Sequence, residues 1–315
     1  MRNRPIDRIL RIIVNPAAGK GRGAHVAPQI EHYLEDLGLE HEIVFTERRM
    51  HAAELAREAA MKGYRGVVSV GGDGTSNEVV NGLMAARARR RRSCIMGVLR
   101  VGTGNDFAHG AGVPAGIRAE CAVLASGHTR KIDLAKVTGG DYPEGRYFCN
   151  GIGIGFDARV GFRAQQLTWG AGAVPYVMGA LSVLAHYPEP SLLRLEYDGT
   201  VIEERLPQVS VMNGTRLGGA FKMAPRALMD DGLLDLCIVR DMGRLRILYL
   251  IGHYIFGTQH GRSKVIGGRT HSIDVTALDG TLAIHADGET ICTAGKKVRI
   301  EVVEKALEIL CPPAP

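Results

Sequence analysis

The string Val70-Gly71-Gly72-Asp73-Gly74-Thr75-Ser76-Asn77-Glu78 restricts the fold of this chain more than any other, because it ends the apolar run Gly66–Val70 and opens a helical segment at Asn77–Arg89. A strand that breaks into glycines and feeds a helix is the geometry in which open backbone N–H groups and a helix N-terminus meet phosphate. Three glycines within four residues let the main chain approach an anion with no Cβ in the way. Asp73 is placed to orient Mg²⁺ or a phosphate-bound water, and Thr75 to hydrogen-bond a phosphate. The same rhythm runs on both sides of the string. Strands are expected at Arg8–Asn15, His41–Thr46 and Met96–Leu99, and helices at Ala27–Leu37 and His51–Lys62. This alternation predicts a parallel sheet with helices on both faces, a three-layer α/β domain over about residues 1–130.

Two more strand ends carry glycine-rich loops. Asn15-Pro16-Ala17-Ala18-Gly19-Lys20-Gly21-Arg22-Gly23 follows the first strand, and Arg100-Val101-Gly102-Thr103-Gly104-Asn105-Asp106-Phe107 follows the fourth. The former is not a P-loop, since no Ser or Thr follows Lys20, and it is not G-x-G-x-x-G, since Ala24 takes the third glycine position. Three such loops, two containing Asp, are most simply one nucleotide pocket at the C-terminal edge of a sheet.

Beyond about Lys131 the texture changes. Short strand-like segments at Lys131–Val137, Leu192–Tyr197, Gln208–Met212, Leu233–Val239, Ser272–Thr276, Thr281–His285 and Lys297–Val303 alternate with turn residues. They predict a mostly antiparallel β-sandwich over about 131–304, with 305–315 returning to the first domain. Two apolar helical segments, Ala171–Ala185 and Ile247–Phe256, read either as core helices or as walls of a greasy acceptor channel. Both fall short of the ~20 residues a spanning helix needs.

Lys and Arg outnumber Asp and Glu by 39 to 33, which suits anionic partners as well as an ordinary solubilising surface. Nucleic acid is not expected: aromatics are only 5%, leaving few stacking platforms, and no nucleic-acid motif accompanies the charge. Six cysteines without a C-x-x-C pair read as reduced, buried thiols of a cytoplasmic protein. The histidines show no H-E-x-x-H or triad context. The acid-free cluster Arg87, Arg89, Arg90, Arg91 and Arg92 reads as a solvated helix end in preference to a membrane contact. The short, interrupted run Ile9–Val14 behind Arg2, Arg4 and Arg8 predicts a first strand, not a signal peptide.

In order, Asn-Pro-x-x-Gly-Lys-Gly, Gly-Gly-Asp-Gly-Thr-x-Asn-Glu and Gly-Thr-Gly-Asn-Asp-Phe resemble the diacylglycerol kinase catalytic-domain family, which is similar to sphingosine and ceramide kinases. The likeness continues through Asn150-Gly151-Ile152-Gly153-Ile154-Gly155-Phe156-Asp157-Ala158, Asn213-Gly214, Gly218-Gly219, Ala224–Asp235 and His285-Ala286-Asp287-Gly288-Glu289. It implies two domains with the active site in the cleft and transfer of phosphate from ATP, with Mg²⁺, to a lipid alcohol such as diacylglycerol or a sphingoid base. By the same resemblance, Asn15, Pro16, Ala17, Ala18, Gly19, Thr46, Gly72, Asp73, Gly74, Thr75, Ser76, Asn77, Glu78 and Thr103 hold the nucleotide. The resemblance also places Asp287 and Glu289 in the acidic motif that supplies the catalytic base, the carboxylate that deprotonates the acceptor hydroxyl. Asp231, with the carbonyls of Leu228 and Leu233, binds Mg²⁺ that waters link to Asp73 and Asp106. Two departures stand out: Arg100 sits near where relatives often carry Pro, and Ala286 where Leu or Val is frequent. An NAD kinase-like phosphotransferase and a non-catalytic nucleotide- or lipid-binding regulator are the alternatives. Peripheral contact with membrane or lipid aggregates is expected, and a homodimer stays open.

Overall fold

The computed structural model describes residues 6–90, 94–167, 174–187 and 189–313. The chain divides into two compact units, Met1–Ile132 with Lys305–Pro315, and Asp133–Glu304.

The first unit runs β1 (Leu10–Val14), α1 (Arg22–Asp36), β2 (His41–Phe45), α2 (His51–Lys62), β3 (Gly66–Gly71), α3 (Asp73–Arg90), β4 (Ile95–Arg100), a short α4 (Asp106–Gly110) and α5 (Ile117–Ser126). Its strands pair in parallel in the order β2-β1-β3-β4. Near the chain's end, Ile309 pairs in parallel with Met96. β1 and β3 are buried along their whole length, so they read as continuous apolar runs and not as alternating ones. α1 lays Val26, Ala27, Ile30 and Leu34 against the sheet at helical spacing, and α5 adds Ile117, Cys121 and Leu124 to the same cluster. Of the arginine cluster, Arg87 donates to the carbonyl of Ala306, and Arg91 and Arg92 lie outside the described residues.

The second unit is a sandwich. Its elements are β5 (Thr129–Gly139), β6 (Tyr142–Phe148), β7 (Gly151–Gly155), α6 (Phe156–Gln166), α7 (Val174–Ala185), β8 (Leu192–Tyr197), β9 (Thr200–Arg205), β10 (Gln208–Met212), β11 (Leu234–Val239), α8 (Arg244–Phe256), β12 (Val265–Thr270), β13 (Ser272–Ala277), β14 (Leu282–Ala286), β15 (Glu289–Gly295) and β16 (Lys297–Leu310). One antiparallel sheet has the order β12-β11-β10-β7-β14-β15. Facing it are β16-β13-β8-β9 and the β5–β6 hairpin. Alternate residues meet between the sheets, among them Ile152, Ile154, Val209, Val211, Leu236, Leu195, Val275 and Ile300. β7 shows why glycine suits one of its faces. Ile152 and Ile154 enter the core, while a Cβ on Gly153 would lie 2.4 Å from that of Asp157 in α6.

The expected apolar segments become α7 and α8, except that residues 171–173 lie outside the described set. Ala180, Leu184, Ile247, Leu250, Ile251 and Tyr254 pack with Met212, Cys237 and Val239 on the outer face of the six-stranded sheet. That face of each helix is core. No helix among the described residues is long and apolar enough to cross a membrane.

Candidate active site

Parallel strands release their C-terminal ends along one edge, and the order β2-β1-β3-β4 aligns four connections there. These are Thr46 after β2, the Asn15–Gly19 turn after β1, Gly72–Thr75 after β3 and Gly102–Asn105 after β4. Hydrogen bonds join each to the next. Thr46 N–H donates to the Val14 carbonyl (2.9 Å), Asn15 N–H to that of Val70 (3.0 Å), and the Val101 and Gly102 amides to that of Gly71 (2.9 and 3.1 Å). Asn15 Nδ2 donates to Thr75 Oγ1 at 3.0 Å, and its Oδ1 accepts from Ala17 N–H at 3.1 Å. One side chain thereby fixes both the turn and the start of α3.

Gly72 and Gly102 meet main chain to main chain: a Cβ on Gly102 would lie 2.2 Å from Gly72 Cα. α3 begins at Asp73, in the middle of this edge. First-turn amides of a helix lack intrahelical acceptors and carry the positive end of its dipole, an arrangement that favours an anion. Gly72, Asp73 and Gly74 are half-buried, as are Pro16, Ala18 and Gly19, while Ala17 and Thr103 are exposed.

The rest of the predicted string turns inward. Ser76 Oγ bonds Ser69 Oγ at 2.8 Å in the core, and buried Asn77 accepts from Asn81 Nδ2. The two Glu78 carboxylate oxygens accept Met50 N–H (2.8 Å) and Ala52 N–H (3.2 Å), which caps α2. Asp73 Oδ1 accepts Phe107 N–H at 3.0 Å, and Asp106 is buried at the first position of α4.

In the second unit, Asp287 occupies the β14–β15 turn with φ +46 and is 4% exposed. Its Oδ1 accepts the amides of Asn150 and Gly151, both at 3.0 Å, and its Oδ2 that of Cys149 at 2.5 Å. Three consecutive N–H groups thus cradle one carboxylate. The Asn150 carbonyl accepts the amides of Asn213 and Gly214 (2.8 and 2.7 Å), and Asn150 Nδ2 donates to Arg216 O at 2.7 Å. Asn213 Nδ2 donates to the carbonyls of Asp133 (3.0 Å) and Cys149 (2.7 Å). Asp133, fully buried, then grips the turn that carries Asp231: its amide donates to Met229 O at 2.6 Å and its carboxylate accepts Gly232 N–H at 2.7 Å. A single buried web therefore runs from Asp287 to the Met229–Gly232 turn. Glu289 is largely buried beside Arg146, with Nη2 3.9 Å away, and Arg146 stacks on Tyr142.

Residues 9–137 match the Diacylglycerol kinase catalytic domain, and residues 150–311 match the YegS C-terminal NAD kinase beta sandwich-like domain. A diacylglycerol kinase of Staphylococcus aureus (strain bovine RF122 / ET3-1) is 30% identical over 280 residues, spanning 89% of this chain and 85% of its own length. The chain belongs to the diacylglycerol kinase family. As a member it is a lipid kinase. The diacylglycerol kinase of Staphylococcus carnosus (strain TM300) is 28% identical over 89% of this chain and 88% of its own. The fold matches a crystal structure from Bacillus anthracis str. Sterne, provisionally termed a diacylglycerol kinase, at TM-score 0.77 and 24% identity over 99% of both chains. Yeast NADH kinase complexed with NADH shares the fold at TM-score 0.51 and 11% identity, over 99% of this chain and 85% of its own.

The lipid kinase's two departures have structural roles. Arg100 donates its amide (3.0 Å) and Nε (3.3 Å) to Glu120, which is 1% exposed and also caps α5 through Gly116 N–H. Ala286 fills a core position, 1% exposed. Among the described residues, no three His, Cys, Asp or Glu side chains gather as a metal cluster. Asp73 and Asp106 belong to the first unit and Asp231 to the second. Asp231 itself lies near Asp235, whose carboxyl is pushed up to about 6 by burial and by the charge of Asp231, with Arg269 opposing. Asp231, on the turn bearing the carbonyls of Leu228 and Leu233, is the carboxylate there that suits a hard divalent cation. Its Oδ1 accepts Leu233 N–H at 3.1 Å and its Oδ2 lies 3.5 Å from Arg269 Nη1, while Asp235 stands in β11.

Proposed function

We propose that this lipid kinase transfers the γ-phosphoryl group of ATP to the hydroxyl of a lipid alcohol, diacylglycerol or a sphingoid base being the acceptor class. The observation that carries the reading is the sheet edge where the loops after β1, β3 and β4 converge on the N-terminus of α3. In it, the Asn15–Gly19 and Gly72–Thr75 main chain, Thr46 and Thr103 hold the triphosphate. Mg²⁺, when bound, would supply charge neutralisation; Asp231 with the Leu228 and Leu233 carbonyls would hold it from the second unit, and Asp73 and Asp106 are the carboxylates the first unit offers. Asp287 accepts the proton of the attacking hydroxyl, with Glu289 beside it. In a loose transition state the hydroxyl turns acidic only as its bond to phosphorus forms. A carboxylate fixed in orientation therefore serves well, and the three amides on Asp287 provide that fixation.

The test is labelled ATP with Mg²⁺ and a panel of detergent-dispersed lipid alcohols plus NAD, with Asp287→Asn and Glu289→Gln in parallel. Label in one lipid, lost in the variants, is the expected result. Label in NAD instead overturns the lipid acceptor, and nucleotide binding without transfer to any acceptor favours a regulator.

A further inference from the structure

α8 is apolar on both sides. Ile247, Leu250, Ile251 and Tyr254 face the sheet, while Leu245 (84% exposed), Leu248, Tyr249, Ile255 and Phe256 (75% exposed) face outward. At about 100° per residue, these five and Gly252 fill one continuous arc opposite the buried stripe. Arg244 and Arg246 lie on its two borders, and α8 contains no acidic residue. A helix apolar all round is ordinarily enclosed by protein or lipid. α7 adds an exposed row of Val174, Met178 and Leu181, and its sequence carries no charge.

Along one flank of α8 runs a groove of about 570 Å³, lined by Arg246, Arg262 and Lys264 together with Tyr249 and Leu250. No carboxylate lines it, and the Arg262 guanidinium sits over the Tyr249 ring, 6.0 Å from its centre. Apolar stripe and cationic groove thus share a border.

We infer that this face of α8 docks on an anionic lipid bilayer, the stripe entering the acyl boundary and the groove's cations taking lipid phosphates. The pattern is that of an interfacial helix, with bulky apolar groups on one arc and Arg or Lys at its edges. A second copy of the chain is the poorer occupant. A two-fold contact centred on the groove would set its three cations against their own kind.

The experiment uses the full chain and sedimentation with vesicles of phosphatidylcholine alone or of an equimolar phosphatidylcholine and phosphatidylglycerol mixture. Binding to the anionic vesicles that falls as salt rises is expected. Arg246→Glu, Arg262→Glu and Lys264→Glu each lower it roughly five-fold, and together at least about a hundred-fold. Leu245→Ser with Phe256→Ser lowers it comparably through lost apolar insertion. Transfer of label to a short-chain, water-soluble acceptor stays at wild-type rate in all of them, which also shows that they fold. Equal binding to neutral and anionic vesicles overturns the inference, as does undiminished binding by the variants. A dimer that Phe256→Ser dissociates, without vesicle binding, overturns it in favour of self-association. Because docking is read by sedimentation and catalysis on a soluble acceptor, either reading can fail without the other.

Discussion

Replacing Asp287 by Asn exchanges one acceptor oxygen for a donor inside the three-amide cradle. If Oδ1 keeps the Asn150 and Gly151 amides, the new NH₂ faces the Cys149 N–H, donor against donor. The opposite flip orphans two amides instead of one. An orphaned buried N–H costs about 1–3 kcal/mol, and each retained bond loses about 1 kcal/mol when its acceptor loses charge. The sum is about 3–5 kcal/mol, which for a domain of this size lowers the melting temperature by on the order of 10 °C. Thermal unfolding of the variant beside wild type and Glu289→Gln measures it, since Glu289 lies outside the cradle. A melting temperature within about 2 °C of wild type would refute the reasoning. Activity of Asp287→Asn is to be read well below its transition, so that lost folding is not counted as lost chemistry.

Gly102→Ala drives a methyl into the main chain of Gly72, which cannot yield as a side chain can, and ATP affinity is expected to fall on the order of 10–100-fold in a titration. Unchanged affinity would mean the two loops do not share a pocket. Glu78→Ala uncaps α2 at a cost of about 1–2 kcal/mol in urea unfolding, with ATP affinity little altered; the reverse pattern would make Glu78 a nucleotide ligand. Asp157 is half-buried, and desolvation raises its carboxyl from 3.8 to about 7 against the lowering effect of the Ser210 hydroxyl. The folded state therefore binds the proton more tightly than the unfolded chain. Wild-type stability is unaffected by this group below about pH 4 and loses on the order of 4 kcal/mol as pH rises to about 7. Asp157→Asn should match wild type at pH 4 and exceed it increasingly up to pH 8. A stability difference independent of pH would show that the carboxyl titrates normally.

The α/β unit was legible because its signals are local. Continuous apolar runs such as Leu10–Val14 mark strands buried on both faces, and glycine strings mark where they end. α1 starts at Arg22 and not at Ala27, since its first turn lacks the apolar spacing that reveals its later ones. In the second unit β7, Gly-Ile-Gly-Ile-Gly, reads poorly as a strand because its outward positions are shaped by α6 and not by intrinsic preference. Asp133, Asn150 and Asn213 were not legible as positioning residues. Each matters through a partner far away in sequence, although an Asp between Ile132 and Leu134 in an apolar strand is a faint signal of a buried obligation. Glu78 shows a second role that its place in the glycine string does not announce: its carboxylate accepts the amides of Met50 and Ala52, where α2 begins. The apolar segments could not declare themselves, because α8 uses one set of residues for core and a second for an exposed face.

The web around Asp287 also bears on how the chain is made. Its members lie at 133, 149–151, 213–214, 229–232 and 287, so nearly every link closes a long loop. Contacts of that kind form late, after the entropy of many intervening residues has been overcome. During synthesis the amides of Cys149, Asn150 and Gly151 have no native acceptor until residue 287 has left the ribosome. The part proposed to receive the hydroxyl thus becomes ordered only when almost all of the sandwich exists, and a nascent chain halted before residue 287 would carry the first unit's glycine loops without that carboxylate.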